Sequence, residues 1–355
     1  MKTLNFTASA ILVIIVFYIL IVGEALLLPL VVAITLWYLI NLLASGFAKI
    51  PLGSARIPGP LCRFASILTF LALGWGVVTF IGSSIAEVTE VIPTYQTNIE
   101  ARIRNLPFSQ YLFDQETGDF SGSLLNFSWL NLPAIFTSLA STFTGVVTSS
   151  GTIFIYIIFL MLEQGNIDKK ISSLVSNKER EKKVRAILDK ISNDIRRYIS
   201  IKLFTSSLTG ILSYTLLMII GVDFAVVWGL LIFMLNFIPT VGSIIATVFP
   251  AIIALAQFEG YTQFVLVMVV IGAIQITIGN IIEPRMMGSS FNLSPLVILL
   301  NLGLWWYIWG VIGMFLCVPF LIIITIVLAH FPQTRPIAVV LSSDGNVGFT
   351  KEDSD

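Results

Sequence analysis

The stretch that decides the fold covers residues 224–258 and reads FAVVWGLLIFMLNFIPTVGSIIATVFPAIIALAQF. It contains no charged residue, and Pro239 and Gly242 interrupt it near the middle. A helix that crosses the hydrocarbon core of a bilayer needs about 20 mostly apolar residues. Because proline removes a backbone donor and glycine loosens a helix, we expect two half-helices with a break between them.

A second apolar block, residues 293–329, repeats this design later in the chain. Its expected break residues are Gly303, Gly310 and Gly313. Each block also carries a further proline that we expect to act as a break or hinge, Pro250 in the first and Pro319 in the second. Irregular backbone at membrane depth is tolerated only where protein or a wet cavity satisfies it. We therefore interpret both blocks as hairpins that dip into the bilayer and return. The alternative for each block is two tight crossings or one long tilted crossing.

The composition indicates the same environment. Of the 355 residues, 56% are hydrophobic and 11% are charged, whereas water-soluble domains are about 25% charged. Lys+Arg 20 balance Asp+Glu 20, so the chain lacks the basic surplus that phosphate binding requires. These values predict an integral membrane protein that binds no nucleic acid.

Six further apolar stretches are candidates for full crossings. They cover residues 7–22, 25–44, 61–85, 135–162, 203–220 and 261–282. Cytoplasmic loops are enriched in Lys and Arg, and eleven of the twenty basic residues lie between Lys169 and Lys202. Residues 87–119 carry six acidic residues against two arginines. This asymmetry predicts that both termini are cytoplasmic and that residues 87–119 are extracytoplasmic.

The order of crossings and hairpins predicts an inverted repeat. Residues 203–258 would form an outward crossing and a hairpin from outside, and residues 261–329 an inward crossing and a hairpin from inside. Such repeats are typical of secondary transporters, whose sites lie where broken helices meet at the midplane. The predicted fold class is an all-α polytopic membrane protein with about six full spans, two re-entrant helical hairpins and two amphipathic helices on the soluble sides.

The predicted organisation has several segments in chain order. They are the N-terminal spans (1–85), an extracytoplasmic amphipathic and aromatic segment (86–133), the fourth span (134–163), a cytoplasmic basic amphipathic helix (164–202), a broken-helix transport region (203–330) and a cytoplasmic tail (331–355). The cytoplasmic helix is predicted from the apolar spacing between Val184 and Ile199, and the extracytoplasmic helix from that between Ile92 and Leu106.

The residues on which most enzymes and metal sites depend are missing. The single histidine is His330, so an H-E-x-x-H zinc motif is excluded, and the sequence has no G-x-x-x-x-G-K-[ST] phosphate loop. Cys62 and Cys317 lie far apart, which favours two buried small side chains over a disulfide. We expect no enzymatic activity, no metal and no cofactor, and we consider Na+ and H+ as coupling ions.

Polar residues in or beside the spans form the candidate binding site, because burying them in hydrocarbon is costly and often marks function. Asn280, Glu283 and Arg285 surround Pro284. We expect this proline to stop the helix and to expose carbonyls that meet a cation or a polar solute. The alternative is that these are ordinary charges of a cytoplasmic loop.

Two asparagines add to this candidate site. Asn236 and Asn301 each precede an expected break in the apolar blocks. An amide at such a position either contacts the ligand or caps backbone groups that the break frees. Both roles stay open for each residue.

Two stretches resemble the autoinducer-2 exporter family of bacterial membrane proteins. The first, Asn236-Phe-Ile-Pro-Thr-Val-Gly-Ser243 running on to Pro250, is similar to the family's proline-x-valine-glycine signature. The second is similar to the family's C-terminal signature in order and spacing. It comprises Asn280-Ile-Ile-Glu-Pro284, Gly288, Leu293-Ser-Pro295, Trp309-Gly310-Val-Ile-Gly313 and Pro319.

This resemblance implies a multi-pass transporter of the bacterial cytoplasmic membrane that assembles as a homo-oligomer, with a pentamer expected. Some members of the family are associated with export of a quorum-sensing signal and others with sodium or proton antiport. The expected partners are accordingly the lipid bilayer, further copies of the chain, and a small polar solute or a monovalent cation.

Our leading hypothesis is a secondary transporter that exports a small polar solute resembling autoinducer-2. The two broken blocks would form its site, with Gly242, Gly310 and Gly313 as hinges. An Na+/H+ antiporter, in which Glu283 alternates between proton and cation, is the first alternative. A non-transporting oligomeric scaffold is the second.

Cysteine accessibility tests the two opposed hairpins. In a variant that lacks Cys62 and Cys317, a cysteine at Thr240 should react with an impermeant maleimide added outside, and one at Ile312 with the reagent added inside. The reason is that each break faces the side from which its hairpin enters. Labelling of both positions from the same side would contradict the inverted arrangement.

Overall fold

The computed structural model of the protein describes residues 2–49, 58–104, 145, 148–175, 177–288 and 292–346. These residues are almost entirely helical, and the one β-type feature among them is an isolated antiparallel bridge between Leu293 and Ser342. The predicted all-α class is therefore confirmed. Predictions that fall on residues 105–144, including the aromatic part of the extracytoplasmic segment, lie outside the described residues.

We number the helices in chain order. They are α1 (Lys2–Val22), α2 (Glu24–Phe47), α3 (Gly59–Arg104), α4 (Ser150–Glu163), α5 (Ile167–Leu174), α6 (Lys178–Ile220), α7 (Ala225–Leu235), α8 (Val241–Gln257), α9 (Thr262–Thr277), a π-helical turn (Ile278–Ile282), α10 (Glu283–Met287), α11 (Pro295–His330) and α12 (Arg335–Leu341). Large apolar side chains such as Ile14, Trp75 and Tyr307 are exposed on them, as lipid-facing surfaces require.

Several helices are long and apolar enough to cross a membrane. Five pass this test in the described part of the chain, and the number rises to six if α4 and α5, which meet at a bend of 66°, are counted as one span. The five are α2, the first part of α3, α6, α9 with its continuation to Met287, and α11. This agrees with the predicted count of about six spans and with a multi-pass membrane protein.

Two predicted boundaries between helices are wrong. The basic amphipathic helix and the fifth span form one helix, α6, because no proline or glycine lies between Lys178 and Thr209 to interrupt it. Similarly, α3 continues from the third span through the predicted extracytoplasmic helix to Arg104. Amphipathic and apolar patterns share the helical period, so a change of pattern alone does not end a helix.

The chain divides into two compact units. The first comprises Met1–Leu71, Val146–Leu203 and Arg285–Asp355, and the second comprises Ala72–Gly145 and Phe204–Pro284. The predicted transport region, residues 203–330, is therefore shared between them, with one apolar block in each. The division into segments that the sequence suggests stays a prediction.

The second unit is built on small residues that let helices approach closely. In α8, Ala246, Ala251 and Ala254 are buried against α9 and α7. Where α6 meets α7, a Cβ added at Gly210 would lie 2.8 Å from the carbonyl oxygen of Gly229. This is how membrane helices pack, because lipid tails leave close van der Waals contact as the main attraction between them.

In the first unit, α2 packs against α4. Their contact is formed by Ala33 and Ile40 on α2 and by Ile153 and Ile157 on α4, all buried. The N-terminal helix α1 is joined to α11 by a hydrogen bond from Trp309 Nε1 to the carbonyl oxygen of Leu20, at 3.0 Å. This bond satisfies an indole donor in apolar surroundings.

The first apolar block is interrupted between α7 and α8, around Pro239. Here Thr240 has φ 60° and ψ −59°, and the Val241 N–H donates to the Pro239 carbonyl over 2.6 Å. These values define the rarer, strained form of the γ-turn. A Cβ added at Gly242 would lie 1.8 Å from the carbonyl oxygen of Leu235, so only glycine fits beside the break.

The second apolar block is interrupted within α11, at Trp309 and Gly310. Gly310 has φ 58° and ψ −141°, a conformation that side chains disfavour. Beside this break, a Cβ added at Gly313 would lie 2.1 Å from the carbonyl oxygen of Trp305. The expected break at Gly303 does not occur, because this glycine lies within regular helix and its α-carbon faces open space.

We expected three prolines to break their helices, and the structure shows that they do not. Pro250 lies inside α8 and Pro319 inside α11, and both helices continue. A proline removes a single hydrogen bond, and packed neighbours can tolerate that loss in a membrane helix. Pro284 does not end its helix either: it is the second residue of α10, where its missing N–H costs little, and the π-helical turn precedes it.

The three glycines of the expected breaks can be compared by substitution with alanine. G242A and G313A should each lower the free energy of unfolding by about 1–3 kcal/mol or more, because the new methyl overlaps a backbone carbonyl. G303A should be neutral or stabilising by up to about 1 kcal/mol, since alanine favours helix. Melting temperatures in detergent measure the difference. A G303A variant as unstable as G242A would contradict the regular helix at Gly303.

Candidate functional site

A row of buried hydroxyl side chains runs along α6. Its members are Thr205, Ser206, Thr209 and Ser213, each 0% exposed. Their spacings of one, three and four residues keep them within about 100° around the helix axis, which is one face. Thr209 donates to the Thr205 carbonyl at 2.8 Å, which satisfies one hydroxyl within the helix. We call these four residues the hydroxyl row.

Asn236 binds this row from the first break. It lies directly after α7, is buried, and its Nδ2 donates to Ser206 Oγ at 3.0 Å. The amide therefore contacts a side chain on a neighbouring helix. This contact fixes the end of α7 against α6.

Glu283 binds the next residue of the same row. Thr205 Oγ1 donates to Glu283 Oε2 at 3.2 Å, and the glutamate side chain is half-buried. Two predicted site residues that are 47 positions apart in the sequence are thus held by adjacent hydroxyls, Thr205 and Ser206. All four residues belong to the second unit.

The other predicted site residues have different surroundings. Asn280 lies in the π-helical turn and Arg285 in α10, and both are exposed. Asn301, in the first unit, donates from Nδ2 to the Cys317 carbonyl at 2.6 Å and accepts a bond from Trp305 Nε1 at 3.1 Å. Its amide thus joins the two halves of α11, which is the capping role.

Aromatic rings fill the second break around this asparagine. Trp305 stacks on Phe320 with ring centroids 4.1 Å apart, and Trp309 lies 5.0 Å from Trp305. These three rings pack where α11 is interrupted. The second break is therefore lined by apolar rings, whereas the first break borders the hydroxyl row.

Sequence reasoning missed the hydroxyl row. It gave no role to Thr205, Ser206, Thr209 or Ser213, although their helical spacing in an uncharged span was a usable signal. Gln275 on α9 is buried as well. In the first unit Lys202 is buried too.

A second polar cluster lies at the end of α6. Tyr95 on α3 donates from its hydroxyl to Asp223 Oδ2 at 2.5 Å, and Asn98 Nδ2 donates to the Ala256 carbonyl at 3.0 Å. Burial, reinforced by the hydrogen bond to Asp223 and its charge, raises the pKa of Tyr95. Asp223 therefore ties α3 to the turn between α6 and α7.

The chemistry of the hydroxyl row is that of a neutral hydrogen-bonding surface with one carboxylate. Within the described ranges, no three His, Cys, Asp or Glu side chains come together as a metal site would require. Hydroxyl and amide groups both donate and accept hydrogen bonds. Such a surface suits a polar solute that carries its own hydroxyl or carbonyl groups.

Comparison with known proteins places the chain in a family of membrane transporters. A model of the family described as "AI-2E family transporter" matches residues 8–333. The chain belongs to this family, which confirms the resemblance noted from its motifs. It is thus a multi-pass bacterial membrane protein of a transport family and not an enzyme.

Individual relatives support this assignment. The chain is 31% identical over 268 residues to the AI-2 transport protein TqsA of Escherichia coli, covering 75% of this chain and 76% of that protein. It is 28% identical over 321 residues to a protein of Borreliella burgdorferi that carries only a general designation as a transport protein, covering 90% of this chain and 85% of the relative.

Removal of the Tyr95 hydroxyl tests the cluster at the end of α6. Y95F should lower the free energy of unfolding by about 1 kcal/mol at neutral pH. The pKa of Tyr95 is raised in the folded protein. The contribution of its hydroxyl to the free energy of unfolding is therefore complete below the unfolded-state pKa of about 10 and falls as the pH rises above that value. The difference in free energy of unfolding between wild type and Y95F should accordingly narrow above about pH 10.

Y214F serves as the matched control, because the Tyr214 hydroxyl donates to the sulfur of Met218 in the same helix and, within the described residues, ties no second helix to α6. Chemical unfolding from pH 7 to pH 11 measures both variants. A gap between wild type and Y95F that widens with pH would contradict the assigned direction of the pKa shift.

Proposed function

We propose that the protein is a secondary transporter that exports a small, uncharged polar solute of the autoinducer-2 type. The solute site lies where the first break meets the hydroxyl row. One observation carries this proposal: the adjacent residues Thr205 and Ser206 hold Glu283 and Asn236, respectively. Family membership and the relation to an AI-2 transport protein support the solute class.

The cost of burying polar groups supports a functional role for the row. Four fully buried hydroxyls, a buried amide and a half-buried carboxylate lie in or beside the apolar stretches 203–220, 224–258 and 261–282. Ionisable groups at membrane depth are expensive and usually mark substrate or ion pathways, which applies here to Glu283. Because the carboxylate accepts a hydroxyl hydrogen bond, it can also accept one from a solute hydroxyl.

Helix length supports the re-entrant arrangement of the first block. α7 has 11 residues and α8 has 17, which correspond to about 16 Å and about 26 Å of helix. Both are shorter than the hydrocarbon thickness of about 30 Å. We therefore retain the hairpin for this block, together with cytoplasmic termini and a homo-oligomeric assembly, as parts of the proposal.

The strained turn at Thr240 gives the first break a means of movement. Backbone strain clusters at sites that switch between conformations, since relaxing it offsets part of the cost of a rearrangement. The close fit of Gly242 against Leu235 allows α8 to approach α7 without a side chain between them. Opening at this position would expose Asn236 and the hydroxyl row to solute.

Charge removal at Glu283 tests the proposed site. E283Q should lower the rate of AI-2 transport in proteoliposomes about tenfold or more, because a hydrogen bond to a charged group contributes about 1.5–3 kcal/mol. E259Q is the matched control, since Glu259 is an exposed carboxylate in the turn before α9. Its transport rate should equal that of the wild type.

Three results would contradict the proposal. Wild-type protein that moves no AI-2 would exclude export of this solute class, and equal rates for E283Q and wild type would remove Glu283 from the mechanism. Obligatory exchange of sodium for protons, measured by internal pH after a sodium pulse without any solute, would favour antiport instead.

A further inference from the structure

One buried polar group on α6 and one on α9 are left without hydrogen-bond partners. Ser213 Oγ on α6 and Gln275 Nε2 on α9 have none in the part of the chain that the structure describes. Ser213 is 0% exposed and Gln275 is 8% exposed. Buried polar side chains nearly always find a partner, so an unpaired donor requires an explanation.

The two residues belong to helices that run in opposite directions. At one end, Thr205 of α6 contacts Glu283, which follows α9 and the π-helical turn. At the other end, Gly221 directly follows α6, and its carbonyl accepts a bond at 2.9 Å from Nε2 of Gln257, the last residue of α8. Because α9 begins only five residues after Gln257, its start lies near the end of α6, and the two helices are antiparallel.

The register of this pair places Ser213 and Gln275 at the same level. Ser213 lies eight residues after Thr205, and Gln275 lies eight residues before Glu283. In each helix eight residues correspond to about 12 Å along the axis. Because Thr205 and Glu283 are in contact, the two unpaired groups lie at equal distances from that contact.

The π-helical turn determines which face Gln275 shares with Glu283. In a regular α-helix, residues eight apart are rotated about 80° away from one another. The π-helical turn at Ile278–Ile282 contains one more residue than an α-helical turn. The rotation between Gln275 and Glu283, which are eight residues apart, is therefore that of two residues seven apart in a regular α-helix. Residues seven apart lie on one face, and Gln275 therefore projects from the same face as Glu283. In α6, which has no such turn, Ser213 is rotated about 80° from Thr205 and lies in line with Ser206, seven residues earlier.

From these observations we propose that Ser213 and Gln275 form a second solute subsite, two helical turns from the site at Thr205 and Glu283. This inference rests on the proposed function and specifies it further. The subsite would take an uncharged solute that presents hydroxyl or carbonyl oxygens. The unpaired atom of Gln275 is an N–H donor, which binds an acceptor oxygen and repels a metal cation.

The two subsites together form a polar lane along α6. A solute that leaves Glu283 passes Thr209, the remaining member of the hydroxyl row, before it reaches Ser213. Two weak sites in series allow a solute both to bind and to leave, because the solute replaces its hydrogen bonds at one site with hydrogen bonds at the next. The alternative occupant of the second subsite is a resident water molecule that joins the two side chains.

Apolar substitutions of similar size separate a solute subsite from a water site. Q275M and S213A are the test variants, and Q263M on α9 and S207A on α6 are matched controls outside the lane. The probe is AI-2 in proteoliposomes, with initial rates measured over a range of concentrations. Each test variant should raise the half-saturation concentration about tenfold, the effect of losing about 1.4 kcal/mol of binding, and the controls should leave it unchanged.

A second measurement concerns the empty protein. If the Gln275 amide is paired only when solute is bound, its unpaired N–H destabilises the solute-free protein, and Q275M should raise the melting temperature in detergent. If a structural water is hydrogen-bonded to the amide, Q275M loses that bond and should melt at a lower temperature than wild type. S213A, the smaller change, keeps the test valid if Q275M folds poorly.

The outcomes distinguish this inference from the proposed function. If wild type transports AI-2 and E283Q does not, but neither S213A nor Q275M changes the half-saturation concentration, the second subsite is overturned and the first stands. If wild type transports no AI-2, both are overturned. A raised half-saturation concentration in both test variants, with unchanged controls, supports the lane.

Discussion

The structure depends on one constraint: backbone that leaves the helical conformation among apolar surroundings must be held by other groups of the protein. Two breaks meet this constraint in the same way. Gly242 approaches the carbonyl of Leu235 and Gly313 that of Trp305, so tightly that a side chain at either glycine would overlap the oxygen. At each break an asparagine adds a hydrogen bond to a neighbouring group. Without these contacts, interrupted helices could not persist in a membrane.

The two breaks nevertheless differ in what surrounds them. Around Gly310 the rings of Trp305, Trp309 and Phe320 fill the space, and the amide of Asn301 joins the two halves of α11. Around Pro239 the amide of Asn236 reaches a separate helix whose buried face is polar. This difference between the two breaks leads us to propose the first break as the solute site. The aromatic rings at the second break stabilise the interrupted helix α11.

Much of the site could be predicted because its residues are rare in their surroundings. Asn236 and Glu283 stood out as polar residues in apolar stretches, and both bind the same part of α6. Arg285 and Asn280 stood out equally, yet both are exposed. The hydroxyl row escaped notice because serine and threonine are common in membrane helices, where they often bond their own backbone. Spacing alone did not distinguish a buried polar face from a lipid-facing one.

By itself, the sequence determined that this is an all-helical membrane protein with about six apolar spans, and that two of its long apolar blocks are interrupted, the first near Pro239 and Gly242 and the second within residues 303–313. Those features follow from local chemistry, since each residue's hydropathy and backbone freedom act wherever it is placed. Only the tertiary structure decided that helices continue through Gly303 and Pro284 and that Thr205 and Ser206 receive Glu283 and Asn236. Whether a weak breaker ends a helix, and which face of a helix is buried, depends on neighbours that are distant in the sequence.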